Sequence, residues 1–477
     1  MQYETVIGLE VHCELATKTK IFCGCSTQFG GTPNTHVCPG CAGMPGTLPV
    51  LNRAVVEFAV RTGLATNCGI TRHNVFDRKH YFYPDLPKAY QVSQLYHPVC
   101  TDGWLEIAGD NGEPKRITIR EIHMEEDAGK LIHDDWEDAS LADYNRGGIP
   151  LLEIVSQPDM RSAAEVIEYL EKLRAILEYI GVSDCKMQEG SIRADVNLSV
   201  RPMGAAEYGT RTETKNLNSL RAIARAIEAE TERQIEVIED GGKVMQETRR
   251  WDDDKGESYA MRSKEDAQDY KYFPDPDLAP VEISEEEIAA ARAALPELPE
   301  AKKQRYITEL GLPPYDTGII TGSVHLVRLF ERTYEVCGSA KEASNWIMGE
   351  VLSQLKLTQT LPEDMSFDRA SLGKLILLVQ KNVINRGTAK KVFAEVFANN
   401  VDPETYVKEH NLALVTDSGA LKETLAKVLA ENEKSAAEYR AGKEQALQYL
   451  IGQGMKALRG QAPAQEVRSI LLELLAG

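Results

Sequence analysis

The sequence predicts an α+β protein in which a sheet-rich N-terminal part precedes an all-helical remainder. Two patterns carry this. Ile7, Leu9, Val11, Cys13 and Leu15 alternate with Glu10, His12 and Glu14, and Ile192, Ala194, Val196, Leu198 and Val200 alternate with Arg193, Asp195, Asn197, Ser199 and Arg201. A period of two puts each set on its own face, as in half-buried strands of an antiparallel sheet. From Ala301 to about Ala398 the period becomes helical, with Leu326, Leu329, Phe330 and Tyr334, then Leu372, Leu375, Ile376 and Val379, three and four residues apart.

Between these strands the spacing predicts two strong helices. The first runs from Ser162 to Tyr179, opened by a capping box of Ser162 and Glu165 and stopped by Gly181. The second follows Thr210–Ser219 and continues to about Asp240. A break falls between Ile283 and Pro299 and another at Asn399-Asn400-Val401-Asp402-Pro403, after which short amphipathic helices follow. The 477 residues divide accordingly into 1–295, 296–402 and 403–477.

A net charge of −19 argues against a general nucleic-acid coat. Val407–Gly477 balances nine lysines and arginines against nine acidic residues, so the tail can approach a phosphate backbone more cheaply. No apolar run is long enough to span a bilayer, and Met1–Val6 begins a strand pattern where a secretory signal would need other residues; the expectation is a cytoplasmic protein without membrane contact. Of nine cysteines, Cys23 with Cys25 and Cys38 with Cys41 form close pairs twelve residues apart. This is the ligand arithmetic of a closed, structural Cys₄ zinc site; redox or spectator thiols are the other reading. Cys13, Cys68, Cys100, Cys185 and Cys337 are scattered and read as buried thiols.

The densest chemistry lies in His123-Met124-Glu125-Glu126-Asp127-Ala128-Gly129-Lys130, read as the end of a strand opening into a loop. Strand geometry puts His123, Glu125 and Asp127 on one side, where a divalent cation carrying nucleotide phosphates would relieve their repulsion; an exposed acidic turn is the alternative. Leu151-Leu152-Glu153-Ile154-Val155 places a carboxylate inside an apolar run, where an unpaired charge is costly. Glu213, Lys215, Asn216, Asn218 and Ser219 lead into the second helix, whose N-terminus suits phosphate, with plain capping by Asn218 or Ser219 as the competing reading. Asp77–Gln94 concentrates cations, aromatics and prolines, either a stacking platform for a nucleotide or a buried aromatic strand, and Asp269–Asp277 echoes it.

Taken together, Val6-Ile7-Gly8-Leu9-Glu10-Val11-His12, the cysteine pairs, Arg78–Asp85, His123–Lys130, Pro150–Val155, Gly190-Ser191-Ile192-Arg193 and Lys215–Ser219 resemble the B subunit of the aspartyl/glutamyl-tRNA amidotransferases (GatB), over essentially the whole chain. The resemblance implies a cradle domain, a helical domain and a small tail related to YqeY proteins. It implies an ATP-dependent carbon–nitrogen ligase that phosphorylates the side-chain carboxylate of Asp-tRNA(Asn) or Glu-tRNA(Gln), so that ammonia can displace phosphate. The ammonia would come from glutamine through the A subunit, which is an amidase, with the small C subunit joining the two in a heterotrimer. Carried over by motif, Glu10, His12, Glu125 and Glu153 would surround Mg²⁺, and Asp195 and Glu213 would be further ligands or lie just behind them. Lys79, Tyr81, Ser191, Arg193, Lys215, Asn216 and Asn218 would handle ATP.

Three positions depart from that family's pattern: His80 in place of asparagine, Lys271 in place of arginine, and Gly460-Gln461-Ala462-Pro463 without an asparagine after alanine. Two rival readings stand beside the ligase. A noncatalytic, zinc-braced tRNA-binding scaffold would not need the carboxylate of Glu153 or the acidic faces at Glu10 and Glu125. A stand-alone ligase using free ammonia on a small acid would make the helical parts superfluous.

Overall fold

Alternation along the first strand decides the architecture, because it commits one face of the sheet to the core and leaves the other to charged groups. In the computed structural model, which describes residues 2–134, 139–263, 270–414, 418–458 and 462–476, β1 (Tyr3–Glu14) buries Ile7, Leu9, Val11 and Cys13 almost completely. Short pieces follow: β2 (Gly69–Ile70), β3 (His73–Asn74), β4 (Asp77–His80) and β5 (Tyr90–Ser93). The longer strands are β6 (Cys100–Ala108), β7 (Pro114–Glu126), then β8 (Lys130–Asp134) and β9 (Ala139–Asp143), which pair with each other, and β10 (Pro150–Ser156). After β11 (Ile192–Pro202) come β12 (Thr212–Lys215), β13 (Glu247–Asp252), β14 (Glu257–Ser263), β15 (Phe273–Pro274) and β16 (Val281–Glu282).

Nine strands form one sheet in the order β14-β13-β12-β11-β1-β10-β7-β6-β2. The expected antiparallel arrangement holds except at β12 and β13, which run parallel. Helices α1 (Arg53–Ala65), α2 (Ala163–Tyr179) and α3 (Leu220–Glu239) supply Val55, Val56, Tyr169, Leu170, Leu173 and Ile223 to the core that the apolar sheet face completes. Each fully buried side chain of this kind contributes about 1.5–3 kcal/mol. Stability therefore rests on that face, and the opposite face is open to carry polar chemistry.

Local signals differ from expectation in three places. Ser162 caps α2 by accepting the Glu165 N–H, but the Glu165 carboxylate turns to the Arg161 N–H and to Lys115, so the capping box is only half formed. Helix α1, capped by Asn52, joins the two expected helices of this part. The Ile283–Pro299 break contains α4 (Glu285–Ala293), held by a full capping box of Ser284 and Glu287 and packed on α1, with Ile283 just before it and Ala291 on it buried in the core. The His123–Lys130 run does end a strand that opens into a loop, because β10 pairs with it as far as Pro150 opposite Glu126 and β8 begins only at Lys130.

The chain forms two compact units, Met1–Pro299 and Glu300–Gly477. The second is helical throughout its described residues, including a π-helical turn at Ile347–Val351. Within it, Leu421, Leu425, Leu450, Val467 and Leu471 build a core of their own. Among the described residues no helix is long and apolar enough to cross a membrane. Asp269 of the downstream aromatic segment and Gly460–Gln461 lie outside the described residues.

Candidate active site on the polar face of the sheet

Register assembles the site. Across the sheet, His12 lies opposite Glu153 on one side and Arg193 on the other, and Glu153 lies opposite His123. One step along, Glu10 lies opposite Asp195. Ligand atoms of His12, Glu125 and Glu153 come within 4.8 Å of one another, and those of Glu10, Asp195 and Glu213 form a second such group. Glu10 thus stands with Asp195 and Glu213, beside the His12 group.

In the first group Glu125 is 3 % exposed, and its Oε1 lies 3.7 Å from Nε2 of His12. Burial, then repulsion from Glu153, raises the Glu125 carboxyl above the usual range, against the pull of His12 and Lys79. Two carboxylates and an imidazole make a donor set for a divalent cation, and the oxygen majority suits Mg²⁺. The second group already contains a cation. Lys215 Nζ lies 2.6 Å from Asp195 Oδ2 and 2.8 Å from Glu213 Oε1. Although burial opposes it, these two carboxylates hold the ammonium well above its ordinary range. Glu10, which accepts from Asn197 at 3.0 Å, is raised by burial and by Glu153 and Glu213.

A third cluster closes the end of β7. Asp127 accepts from Arg193 Nη2 at 2.8 Å and lies 3.3 Å from Arg146 Nε. Both guanidiniums hold its carboxyl low despite burial, while burial and this same Asp127 push Glu14 up to about 8. Ser191, buried just before β11, accepts the Glu14 N–H on its carbonyl.

The two aromatic segments face each other. β15 pairs with β4, Phe273 opposite Arg78, and Arg78 binds Asp275 at 2.8 Å and Asp277 at 2.7 Å. His80, one of the departures, stacks on Phe273 with ring centroids 4.7 Å apart. Lys79 Nζ sits 5.1 Å from the ring of Tyr270 and 5.9 Å from that of Tyr81. Burial raises the Tyr81 and Tyr272 phenols, Asp85 and Glu125 adding to the first, Glu153 and Glu125 to the second.

Other residues singled out in the sequence lie outside the two metal-capable carboxylate groups. Asn216, in the left-handed conformation at φ 67°, donates to the Trp251 carbonyl at 3.0 Å. Asn218 is exposed, and Ser219 is the cap of α3. Lys130 is exposed on β8, and His123 is buried between the Gln94 carbonyl and Glu121, whose carboxyl it draws down to about 2. Sequence reasoning missed Glu14, Arg146, Tyr270 and Tyr272 as site residues. Alternation flagged Glu14 and the aromatic echo flagged the tyrosines, but nothing local marks Arg146.

Beside the sheet, Cys23, Cys25, Cys38 and Cys41 gather with their sulfurs within 4.8 Å of one another, Cys41 lying 4.0 Å from Cys25 and 3.9 Å from Cys38. Four thiolates about 2.3 Å from a tetrahedral metal stand about 3.8 Å apart, so the set fits. The remaining five cysteines are buried and free.

Fold and site together define a class: a sheet protein whose polar face gathers carboxylates that could hold a metal beside lysine and arginine, next to a loop of four clustered cysteines. Residues 5–289 match the GatB/GatE catalytic domain and residues 328–475 match the GatB domain. The chain belongs to the GatB/GatE family. It is 60 % identical over 474 residues, 99 % of each chain, to the B subunit of the aspartyl/glutamyl-tRNA(Asn/Gln) amidotransferase of Lachnoclostridium phytofermentans. It is 59 % identical over 479 residues to the protein of that name from Lachnospira eligens, again over 99 % of each chain. The Agathobacter rectalis protein of that name is 57 % identical over 473 residues, 99 % of each.

Proposed function

We propose that the chain is the B subunit of a glutamine-dependent tRNA amidotransferase, an ATP-dependent carbon–nitrogen ligase of translation that works on Asp-tRNA(Asn), Glu-tRNA(Gln) or both. Full-length similarity to proteins of that name supports the class. The observation that carries the mechanism is the His12, Glu125 and Glu153 group, built around the buried Glu125, with Lys79 and Arg193 at its margins. A side-chain carboxylate is a poor acyl donor until one oxygen becomes a phosphate leaving group. Transferring that phosphoryl group needs positioning and charge neutralisation more than a protein nucleophile.

Mg²⁺ held by His12, Glu125 and Glu153 would supply charge neutralisation to the ATP phosphates. Lys79, fixed against Tyr270 and Tyr81, presents a cation to the γ-phosphate, and Arg193, anchored on Asp127, presents a second. Lys215 offsets one of the two negative charges of Asp195 and Glu213, so only part of the acidic surplus awaits an external cation. The Tyr81 and Tyr272 phenols lie close enough to Glu125 to interact with it, and would help shield an acyl phosphate from water. Ammonia then attacks the acyl carbon and phosphate leaves with the bond electrons. We assign ammonia production from glutamine to a separate amidase, the A subunit, with the C subunit joining the two in a cytoplasmic heterotrimer.

The four cysteines would hold Zn²⁺ as a closed structural site. The three-part division at residues 295 and 402, with a tRNA-contacting tail related to YqeY proteins, belongs to the same proposal. A noncatalytic scaffold would have no use for three acidic clusters held at energetic cost on one sheet face.

The test is to assemble the chain with the A and C subunits and supply Asp-tRNA(Asn) or Glu-tRNA(Gln), ATP, Mg²⁺ and glutamine. Amide formation is expected, and it should collapse in Glu125→Ala and Glu10→Ala. Unchanged amide formation in both variants would overturn the site assignment.

A further inference from the structure

Lys20 is wholly buried, at 0 % exposure. Its ammonium lies 3.7 Å from Cys41 Sγ and donates to the Tyr144 carbonyl at 3.1 Å. Its backbone N–H donates to the Cys25 carbonyl at 3.0 Å, so this one residue touches both cysteine pairs. A buried ammonium is costly without an anion, and a neutral carbonyl cannot supply the charge. A divalent metal bound by four thiolates carries two net negative charges and can.

The contacts continue beyond Lys20. The loop between the cysteine pairs grips the same segment that Lys20 reaches: the Asn34 N–H donates to Asp143 Oδ1 at 3.0 Å, the Tyr144 N–H to Asn34 Oδ1 at 2.8 Å, and the His36 N–H to Asn145 Oδ1 at 2.8 Å. The segment then passes to Asp127, through Arg146 Nε at 3.3 Å, the Gly148 N–H donating to the Asp127 carbonyl at 2.8 Å, and the Asp127 N–H donating to the Ile149 carbonyl at 2.8 Å.

We infer that Lys20 is the counter-cation of the four-cysteine metal centre and a positioning residue that couples metal occupancy to the Arg146 and Asp127 end of the catalytic face. This rests on the reading of the cysteines as a metal site. When the metal leaves, the ammonium loses its compensating charge, the loop from Cys25 to Cys38 loses its anchor, and the 143–149 segment is released from one side.

The experiment uses the full chain with Co²⁺ as the metal, whose sulfur-to-metal charge-transfer band reports the thiolates. In Lys20→Met the thiolates lose a neighbouring positive charge and become better electron donors, so the band should move to longer wavelength and the metal should pass to a chelator about tenfold faster. Because this variant can fail to fold, the unaltered chain is footprinted as well, lysines with acetic anhydride and arginines with phenylglyoxal, before and after chelation. Modification of Lys20 and Arg146 should rise about tenfold on metal removal while that of Lys215 stays constant. Absence of any charge-transfer band would remove the metal site itself. A band with the metal bound, but Lys20 and Arg146 unresponsive or rising together with Lys215, would overturn the coupling alone.

Discussion

His12 and Glu125 meet at 3.7 Å although their strands are not hydrogen-bonded neighbours: β10 runs between β1 and β7, and the two long side chains reach over it. Glu153, on that intervening strand, completes the group from below. The site is therefore a property of three strands in register, and a one-residue slip of any of them would send its ligands to the core face.

Replacing Glu125 by Gln separates function from stability. The buried carboxylate is held against burial and against Glu153, so removing its charge should leave the thermal midpoint unchanged or slightly raised. Amide formation should fall about 100-fold or more, as when a charge-stabilising interaction of several kcal/mol is lost. Calorimetry and the tRNA amidation assay on the same preparation check both halves.

Metal binding should depend on pH in a defined direction. Glu10 and Glu125 have carboxyls raised by burial and by nearby carboxylates, Glu153 acting on both. Between the ordinary and the raised values the folded state holds more protons than the unfolded chain. Stability of the metal-free protein therefore falls as pH climbs through that window. Mg²⁺ held by His12, Glu125 and Glu153 would need Glu125 ionised, so its affinity should rise with pH over the same window and binding should release protons. Titration calorimetry in two buffers of different ionisation enthalpy measures that release; proton uptake would contradict it.

If the four clustered cysteines hold zinc as proposed, purified protein should contain about one equivalent of it, lost in Cys38→Ser. Elemental analysis decides it. Retention of full zinc in Cys38→Ser would mean that the metal lies elsewhere.

Arg78→Ala should detach the downstream aromatic segment. Asp275 is 4 % exposed and has Arg78 at 2.8 Å, so the variant leaves a buried charge without its partner, a loss of about 3–5 kcal/mol. Denaturant unfolding should show that loss, and KM for ATP should rise because Tyr270 holds Lys79 from that segment.

Much of this was legible in the chain because strand alternation is a local signal. Glu10, His12, Asp195 and Glu153 are polar insertions in apolar patterns, and the structure carries them on β1, β11 and β10. Partnership was not legible. That Glu10 shares space with Glu213 and Lys215, while His12 turns to Glu125 and Glu153, follows from sheet order and side-chain reach. Arg146 finds Asp127 only because a turn after β9 returns the chain to the end of β7. The N-terminus of α3 likewise offered two caps in sequence, and the fold took Ser219. Helix α1 was a different case, since Asn52 and the stripe of Val55, Val56, Ala59 and Val60 were visible signals.

The proposed activation of the substrate carboxylate as an acyl phosphate on the acidic sheet face can be tested through the fate of its oxygen. The measurement labels the side-chain carboxylate of Glu-tRNA(Gln) or Asp-tRNA(Asn) with ¹⁸O and supplies the assembled enzyme with ATP, Mg²⁺ and glutamine. One labelled oxygen should appear in the inorganic phosphate for each amide formed, and Glu125→Gln should abolish its appearance. Amide formation accompanied by unlabelled phosphate would contradict acyl-phosphate activation.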